Sequence, residues 1–220
     1  MTPPIPDRLL KGYNTFRLER FAVEVRNFRS LAEGQSPKTM IIGCADSRVD
    51  PATIFSAAPG ELFVVRNVAA LVPPHEAEGT YHGTSAALEF AVTQLKVEDI
   101  VVLGHGLCGG ISAALAAACD RPVGQFIGPW VRQLSSLSET LLEQAVHIGA
   151  VDNQRTLEHL SIKYSLDNLM NFPFVRDAMK LGSLTLHGAW FSIADGELHW
   201  LDDATGKFAN VPAPVPHPLP

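Results

Sequence analysis

The chain has 220 residues, of which 46% are hydrophobic and 18% are charged, and its formal net charge at pH 7 is -6. This length and composition suit one globular domain, so we expect a single domain over residues 1–220. The negative charge argues against nucleic acid and anionic membranes as partners. No run approaches the roughly twenty apolar residues of a membrane helix. The first residues also lack the pattern of a secretory signal, so we expect a cytoplasmic protein.

The first predicted element is a helix over residues 13–33, where apolar side chains recur at helical spacing among mixed charges. Such a helix must bury its apolar stripe, so Phe16, Phe21 and Phe28 are predicted to be contact residues. We assign residues 1–34 to an N-terminal helical arm. The stripe can pack on the rest of the same chain or on another copy.

Three short apolar runs predict buried strands. The runs are TMIIGC, ELFVVRNVA and DIVVLGH. A helix is predicted over residues 84–96, and strands that alternate with helices favour a parallel sheet. Cys44 ends the first run, His105 ends the third, and Cys108 follows shortly after. Open α/β sheets place their sites at the carboxyl ends of strands, so we expect these three side chains to meet.

The second half of the chain predicts the sheet's other edge. Residues 130–170 have the spacing of amphipathic helices, and Pro173 starts or breaks the next helix. An antiparallel hairpin is predicted to turn at Asp195 and Gly196. The proline-rich tail, residues 211–220, should be extended or disordered. The predicted fold class is α/β, with a central, mostly parallel sheet, an antiparallel edge, flanking helices and the N-terminal helical arm.

Cys44, His105 and Cys108 carry the donor atoms of a zinc site. Zinc accepts thiolate and imidazole ligands and prefers four, so these residues leave one position for water, substrate or a carboxylate. A helix is predicted to begin directly after Cys108, and a helix N-terminus favours thiolate. The alternative is that both cysteines are buried, inert thiols. Three cysteines make no disulfide framework and fit a reducing compartment, with Cys119 predicted to be a packing residue.

Asp46 and Arg48 follow Cys44 at alternating positions. In an extended turn their side chains share one side, and an arginine can bind a carboxylate through two parallel hydrogen bonds. This places a fixed carboxylate next to the predicted metal. The alternative is a surface salt bridge worth at most about 1 kcal/mol.

The segments CADSRVDP and GHGLCGG, with sixty residues between Cys44 and His105, resemble the motifs of the β-class carbonic anhydrases. The likeness is close over residues 35–115, where it includes PGELFVVRNVAALVPP and LEFAVTQLKVEDIVVLGH. It implies reversible hydration of carbon dioxide to bicarbonate and a proton by attack of zinc-bound hydroxide. It also implies a homodimer or larger homo-oligomer, with the N-terminal helices lying across the partner subunit.

For the site, the resemblance implies one Zn²⁺ per chain on Cys44, His105 and Cys108. Asp46 and Arg48 then form the activating dyad. In family members the same carboxylate has two roles: it accepts a hydrogen bond from zinc hydroxide, or it binds zinc as a fourth ligand and shuts the enzyme.

Further pocket residues follow from the plant-like, open members of the family. Gln35 matches a glutamine that donates a hydrogen bond to bound substrate. Phe63 and Val68 match apolar pocket positions, although a reading as core residues of a strand is equally good. Phe90 stands where those members carry a tyrosine. Gly109 offers a backbone amide to the substrate, although a tight strand-to-helix turn needs glycine for steric reasons alone.

The resemblance also predicts that the site is open near neutral pH. Members that close at low pH or with bound bicarbonate carry a tryptophan, an arginine and a tyrosine at three positions. Here those positions hold Ile41, Arg66 and Phe191, so two of the three elements differ.

Two other functions stay open at this point. The same zinc site could hydrolyse an analogue of carbon dioxide, such as carbon disulfide or carbonyl sulfide, and only a substrate assay separates these reactions. The zinc could also be a structural or sensory centre in a non-catalytic protein, which a fourth fixed protein ligand would favour.

Overall fold

The computed structural model describes residues 5–76, 82–148 and 152–213. The chain divides into two compact units, Met1–Ser36 and Pro37–Pro220. Residues 214–220, most of the predicted proline-rich tail, lie outside the described residues. None of the helices in the described ranges combines the length and the apolar character that a membrane span requires.

The N-terminal unit is helical but is not one continuous helix. It contains three segments: α1 (Asp7–Thr15), a π-helical segment (Phe16–Phe21) and α2 (Val25–Leu31). The prediction of a single helix over residues 13–33 is therefore wrong at its start and in its continuity. The break precedes α2 at Glu24, whose φ of -96° and ψ of 17° are not helical.

Three phenylalanines explain the irregular helix. Phe16 and Phe21 are five residues apart, the spacing that a π-helical turn brings to one side. Their ring centroids are 6.1 Å apart, and Phe28 lies 5.5 Å from Phe16 and 5.2 Å from Phe21. The predicted contact residues therefore contact one another inside the N-terminal unit.

The second unit is built on a six-stranded mixed sheet with the order β2-β1-β3-β4-β5-β6. The strands are β1, Thr39–Cys44; β2, Leu62–Asn67; β3, Asp99–His105; β4, Thr185–Ser192; β5, Glu197–Asp202; and β6, Lys207–Asn210. The first four are parallel and the last two pair antiparallel, which confirms the predicted fold class. The hairpin turns at Gly196, whose φ is 69°. The last strand was not predicted.

Helices flank this sheet. They are α3, Pro51–Ile54; α4, Gly83–Glu89; α5, Gly109–Ala118; α6, Ile127–Val131; α7, Ser135–Ile148; α8, Asn153–Leu169; and α9, Pro173–Lys180. A π-helical segment, Phe90–Leu95, continues α4, and Pro173 is at the first position of α9. Cys119 follows α5 and is exposed, so its prediction as a packing residue is wrong.

One helix packs unusually close to the sheet. A Cβ at Gly104 of β3 would lie 2.7 Å from Cδ1 of Ile162, and a Cβ at Gly188 of β4 would lie 3.0 Å from its Cγ2. The two glycines therefore let α8 approach the backbone of both strands. This contact fixes the helix beside the carboxyl end of β3.

Candidate metal centre

The carboxyl ends of two neighbouring strands bring the predicted ligands together. Cys44 ends β1, His105 ends the adjacent parallel strand β3, and Cys108 is the N-cap residue of α5. One donor atom from each residue lies within 4.8 Å of the others, and the two sulfurs are 3.8 Å apart. All three side chains are buried. The structure therefore brings together a group that could hold a metal ion.

A tight turn carries the chain from His105 to Cys108. The N–H of Gly106 donates to the carbonyl of Phe191 at 2.9 Å, and a Cβ at this glycine would lie 3.1 Å from the Trp190 ring. Leu107 then takes a φ of 56°, which reverses the chain direction. The turn thereby places Cys108 beside the histidine that ends the strand.

The imidazole of His105 presents one free nitrogen to the group. Its Nδ1 lies 2.9 Å from the carbonyl oxygen of Gly106, so Nδ1 carries the proton and donates. Its Nε2 is buried and has no hydrogen-bond partner. Buried polar atoms are nearly always paired, so a lone pair in this position fits a metal ion.

The two sulfurs are in hydrogen-bond contact, and their pKa values shift in opposite directions. The hydrogen bond from Cys108, aided by the neighbouring His105 imidazole, lowers the pKa of Cys44 despite its burial. The same bond to Cys44, together with burial, raises the pKa of Cys108. Burial alone would lower the pKa of His105, but the neighbouring Cys44 sulfur and the bond to the Gly106 carbonyl raise it. A cation would favour the deprotonated state of both sulfurs, which is the form that binds metal.

Arg48 fixes the carboxylate of Asp46 through three bonds. Its Nε and its backbone N–H donate to Oδ1, each at 2.9 Å, and its Nη2 donates to Oδ2 at 2.7 Å. These hydrogen bonds hold the pKa of Asp46 well below its usual range. Nη2 also donates to the Leu107 carbonyl at 3.2 Å. The dyad is therefore attached to both ligand-bearing loops.

Arg66 supports the loop after β1. Its Nε donates to the carbonyl of Cys44 at 2.8 Å, and its Nη2 donates to the carbonyl of Asp46 at 2.5 Å. From the sequence, Arg66 was identified only as one of the three positions that distinguish family members whose site closes. The pairing of β2 with β1, which places Arg66 opposite Gly43, is the signal that could have revealed this contact.

Three residues that hold Cys108, directly or through Glu158, were not predicted from the sequence. Glu158 accepts the Cys108 N–H at 3.1 Å and the Trp190 indole N–H at 3.0 Å. Gln154 donates to the Cys108 carbonyl at 3.0 Å and to Glu158 at 2.8 Å. Glu158 lies four residues before the buried Ile162 on one helix, so helical periodicity could have indicated that it is buried.

The other predicted pocket residues lie in different places. Val68 is near the start of α5, where its Cγ1 would be 2.7 Å from a Cβ at Gly110. Gly109 is the first residue of α5 and is exposed. Phe63 and Phe90 stack with centroids 5.9 Å apart.

The stacked pair of Phe63 and Phe90 does not lie beside the candidate metal ligands Cys44, His105 and Cys108 of its own chain. Phe63 is paired with Met40, four residues before Cys44 in β1, which corresponds to about 13 Å along the strand. Gln35 is an exposed residue of the N-terminal unit.

Comparison with known proteins gives a consistent result. The family model described as "Carbonic anhydrase" matches residues 39–198. Beta carbonic anhydrase 5, chloroplastic, of Arabidopsis thaliana is 35% identical over 189 residues, which are 86% of this chain and 62% of that protein. Beta carbonic anhydrase 6, mitochondrial, of the same plant is 37% identical over 195 residues, 87% of this chain and 66% of that protein. This chain therefore spans a little less than two thirds of these curated relatives.

Solved structures share the fold. The beta-carbonic anhydrase CcaA has a TM-score of 0.86 at 30% identity, covering 93% of this chain and 98% of its own. One of two tetrameric beta-carbonic anhydrases from Sordaria macrospora has a TM-score of 0.73 at 33% identity, with 89% and 92% covered.

Proposed function

The chain belongs to the β-carbonic anhydrase family, and from this membership we propose that it reversibly hydrates carbon dioxide to bicarbonate and a proton, with zinc as cofactor. The observation that carries the proposal is the convergence of two sulfurs and one imidazole nitrogen within 4.8 Å. A carboxylate that is fixed by an arginine stands beside them. Three such ligands leave a fourth position for water or substrate, as in catalytic zinc sites.

Cys44, His105 and Cys108 are the proposed ligands of one zinc ion per chain. The cysteines would bind through Sγ and the histidine through Nε2, the nitrogen without a hydrogen-bond partner. When bound there, zinc would lower the pKa of a coordinated water to about 7 and so supply hydroxide near neutral pH.

The proposed role of Asp46 is to orient the attacking water. Because its pKa is well below the usual range, the carboxylate stays ionised near neutral pH and only accepts hydrogen bonds. Arg48 fixes its direction through the bidentate contact. A water that donates a hydrogen bond to Asp46 has its O–H occupied, so one of its lone pairs faces the substrate carbon. Binding of Asp46 to zinc, which would shut the site, would require the carboxylate to leave Arg48, so we propose an open site.

The substrate pocket is proposed to lie at a homodimer interface. Carbon dioxide is small and apolar, so the pocket needs apolar walls and few donors. We propose that Val68 and the Gly109 N–H line the part of the pocket near Cys108. The rest of the pocket is proposed to be lined by Gln35, Phe63 and Phe90. The tetrameric description of the relative from Sordaria macrospora supports an oligomer. Light scattering on the purified chain tests this, and a monomer would contradict it.

We also propose that the protein works in the cytoplasm. All three cysteines are free thiols, which agrees with a reducing compartment. The two plant relatives are described as chloroplastic and mitochondrial. Fractionation of cells that express the tagged chain would separate these compartments.

The test of the function is zinc content and stopped-flow hydration of carbon dioxide on one preparation, at near-neutral and mildly alkaline pH. One zinc per chain with activity at both pH values is the expected result. Activity only at alkaline pH would contradict the open site. Zinc without hydration at either pH would contradict the proposed reaction and direct the assay to carbon disulfide and carbonyl sulfide.

A further inference from the structure

Two side chains of α8 bind both backbone polar groups of Cys108. Oε1 of Glu158 accepts the Cys108 N–H at 3.1 Å, and Nε2 of Gln154 donates to the Cys108 carbonyl at 3.0 Å. Gln154 and Glu158 are four residues apart, on one face of the helix, and are bonded to each other at 2.8 Å. The backbone of this one residue is therefore fixed from both sides by a helix that is distant in sequence.

The local sequence cannot supply the bond to the Cys108 N–H. Cys108 is the N-cap of α5, and in a capping box the N-cap N–H is accepted by a glutamate or glutamine at the third helical position. That position holds Ile111, which is buried and apolar. Glu158 replaces the missing acceptor from another helix, and a carboxylate at a helix N-terminus is favourable.

The carboxyl group of Glu158 accepts hydrogen bonds from three N–H donors. Besides those of Cys108 and Gln154, its Oε2 accepts the indole N–H of Trp190 at 3.0 Å. All three donors are uncharged groups: a backbone amide, a side-chain amide and an indole. Glu158 is 2% exposed, and in the described part of the chain no basic side chain forms an ion pair with it.

The side-chain bonds of Glu158 join it to the Cys108 N–H, to Gln154, which itself bonds to the Cys108 carbonyl, and to Trp190, whose ring lies against Gly106. We infer that Glu158 is a positioning residue, which fixes the Cys108 backbone so that Sγ points toward the group formed with Cys44 and His105. This inference deepens the proposed function and rests on it, because it takes Cys108 as a zinc ligand. Residues that orient metal ligands typically contribute about 10- to 100-fold in metal affinity.

Trp190 allows a specific test of this role. In Glu158→Gln the remaining oxygen can still accept from Cys108 and Gln154, but its NH₂ group then faces the Trp190 N–H. Two donors cannot bond, so the side chain must move and the contact with Cys108 weakens. Trp190→Phe removes the opposing donor. The double variant Glu158→Gln/Trp190→Phe should therefore regain the Cys108 contact.

The experiment measures the zinc affinity of the purified chain by competition with a chromophoric chelator. We expect Glu158→Gln to weaken zinc binding by about 10-fold or more. The double variant should return to within about threefold of wild type. Glu139→Gln, at an exposed glutamate of α7, is the matched control and should bind zinc as wild type does. The thiolate band of the cobalt-substituted proteins should follow the same order.

Unfolding of the metal-free variants separates positioning from a general folding defect. A positioning role predicts that zinc affinity changes more than metal-free stability does. If metal-free stability falls while zinc affinity stays within about twofold of wild type, the inference is overturned. If Glu158→Gln does not fold, Gln154→Leu takes its place in the same assay, because it removes the bonds of Gln154 to the Cys108 carbonyl and to Glu158 but leaves Glu158 bonded to the Cys108 N–H. Failure of the wild-type chain to bind zinc would instead overturn the proposed function.

Discussion

Oδ2 of Asp46 lies 4.0 Å from Nε2 of His105, the free nitrogen of the metal group. The carboxylate is close enough to contact a water in front of that group, yet both of its oxygens are bonded to Arg48. Its side chain is 18% exposed, so the dyad lies at the border between the buried ligands and solvent. This geometry suits a residue that orients a reactant and does not itself bind the metal.

The first prediction concerns the variant Asp46→Asn. The amide cannot form the same two bonds with Arg48, and it presents a donor where the carboxylate accepts. We expect zinc content to stay at the wild-type level and carbon dioxide hydration to fall by about 100-fold or more, as measured by stopped flow. Asp99→Asn is the matched control, since Asp99 is bonded to His187 at the opposite end of β3 from His105. Full activity of Asp46→Asn would refute the dyad assignment.

The pH dependence of the same variant gives a second prediction. Arg48 holds the pKa of Asp46 well below its usual range, so Asp46 does not titrate between about pH 6 and 9. The ratio of wild-type to Asp46→Asn hydration rates should therefore be constant over this interval. Stopped-flow measurements at several pH values check this. A ratio that rises steeply with pH would show that Asp46 titrates during catalysis, contrary to the structure.

The third prediction uses two neighbouring glycines at the start of α5. A Cβ at Gly110 would lie 2.7 Å from Cγ1 of Val68 and 2.8 Å from Cβ of Ala69, whereas a Cβ at Gly109 would meet nothing within 4 Å. Gly110→Ala should lower the free energy of unfolding by about 1–3 kcal/mol because the loop after β2 must move. Gly109→Ala should be neutral or slightly stabilising. Urea unfolding of both variants makes the comparison, and equal stabilities would contradict the packing.

The ligand group could be predicted because its residues lie at the ends of strands. The apolar runs that end at Cys44 and His105 identify two adjacent parallel strands, and parallel strands bring their carboxyl ends to one edge. Asp46 and Arg48 follow from their spacing alone. These features depend on short stretches of sequence and on the general geometry of sheets.

The surrounding contacts could not be predicted in the same way. Periodicity indicates that the α8 position of Glu158 is buried, but it does not reveal that its partner is the backbone of Cys108, fifty residues earlier. The break in the N-terminal helix accompanies the packing of Phe16 against Phe28, which the helical periodicity of residues 13–33 does not reveal. Both features depend on how separate elements pack.

A final prediction concerns stability in acid and follows from His159. Its ring stacks on Phe208 at 4.3 Å and meets Trp190 edge to face at 5.2 Å. Burial, with the nearby charge of Arg155, lowers the pKa of His159 to about 4. The unfolded chain therefore binds this proton more readily than the folded chain between about pH 6.5 and 4. The stabilising contribution of neutral His159 is therefore complete above about pH 6.5 and is lost as the pH falls toward about 4.

The expected loss from His159 is about 2 kcal/mol across that interval, below the full linkage value because the ring is partly exposed. His159→Phe keeps the stacking and cannot be protonated, so its free energy of unfolding should depend less on pH by this amount. His75→Phe, at an exposed position that contacts Phe172, is the control and should keep the wild-type slope. Urea unfolding from about pH 7 to 4.5 provides the measurement. If His159→Phe and wild type lose stability in parallel, the acid sensitivity originates elsewhere in the chain.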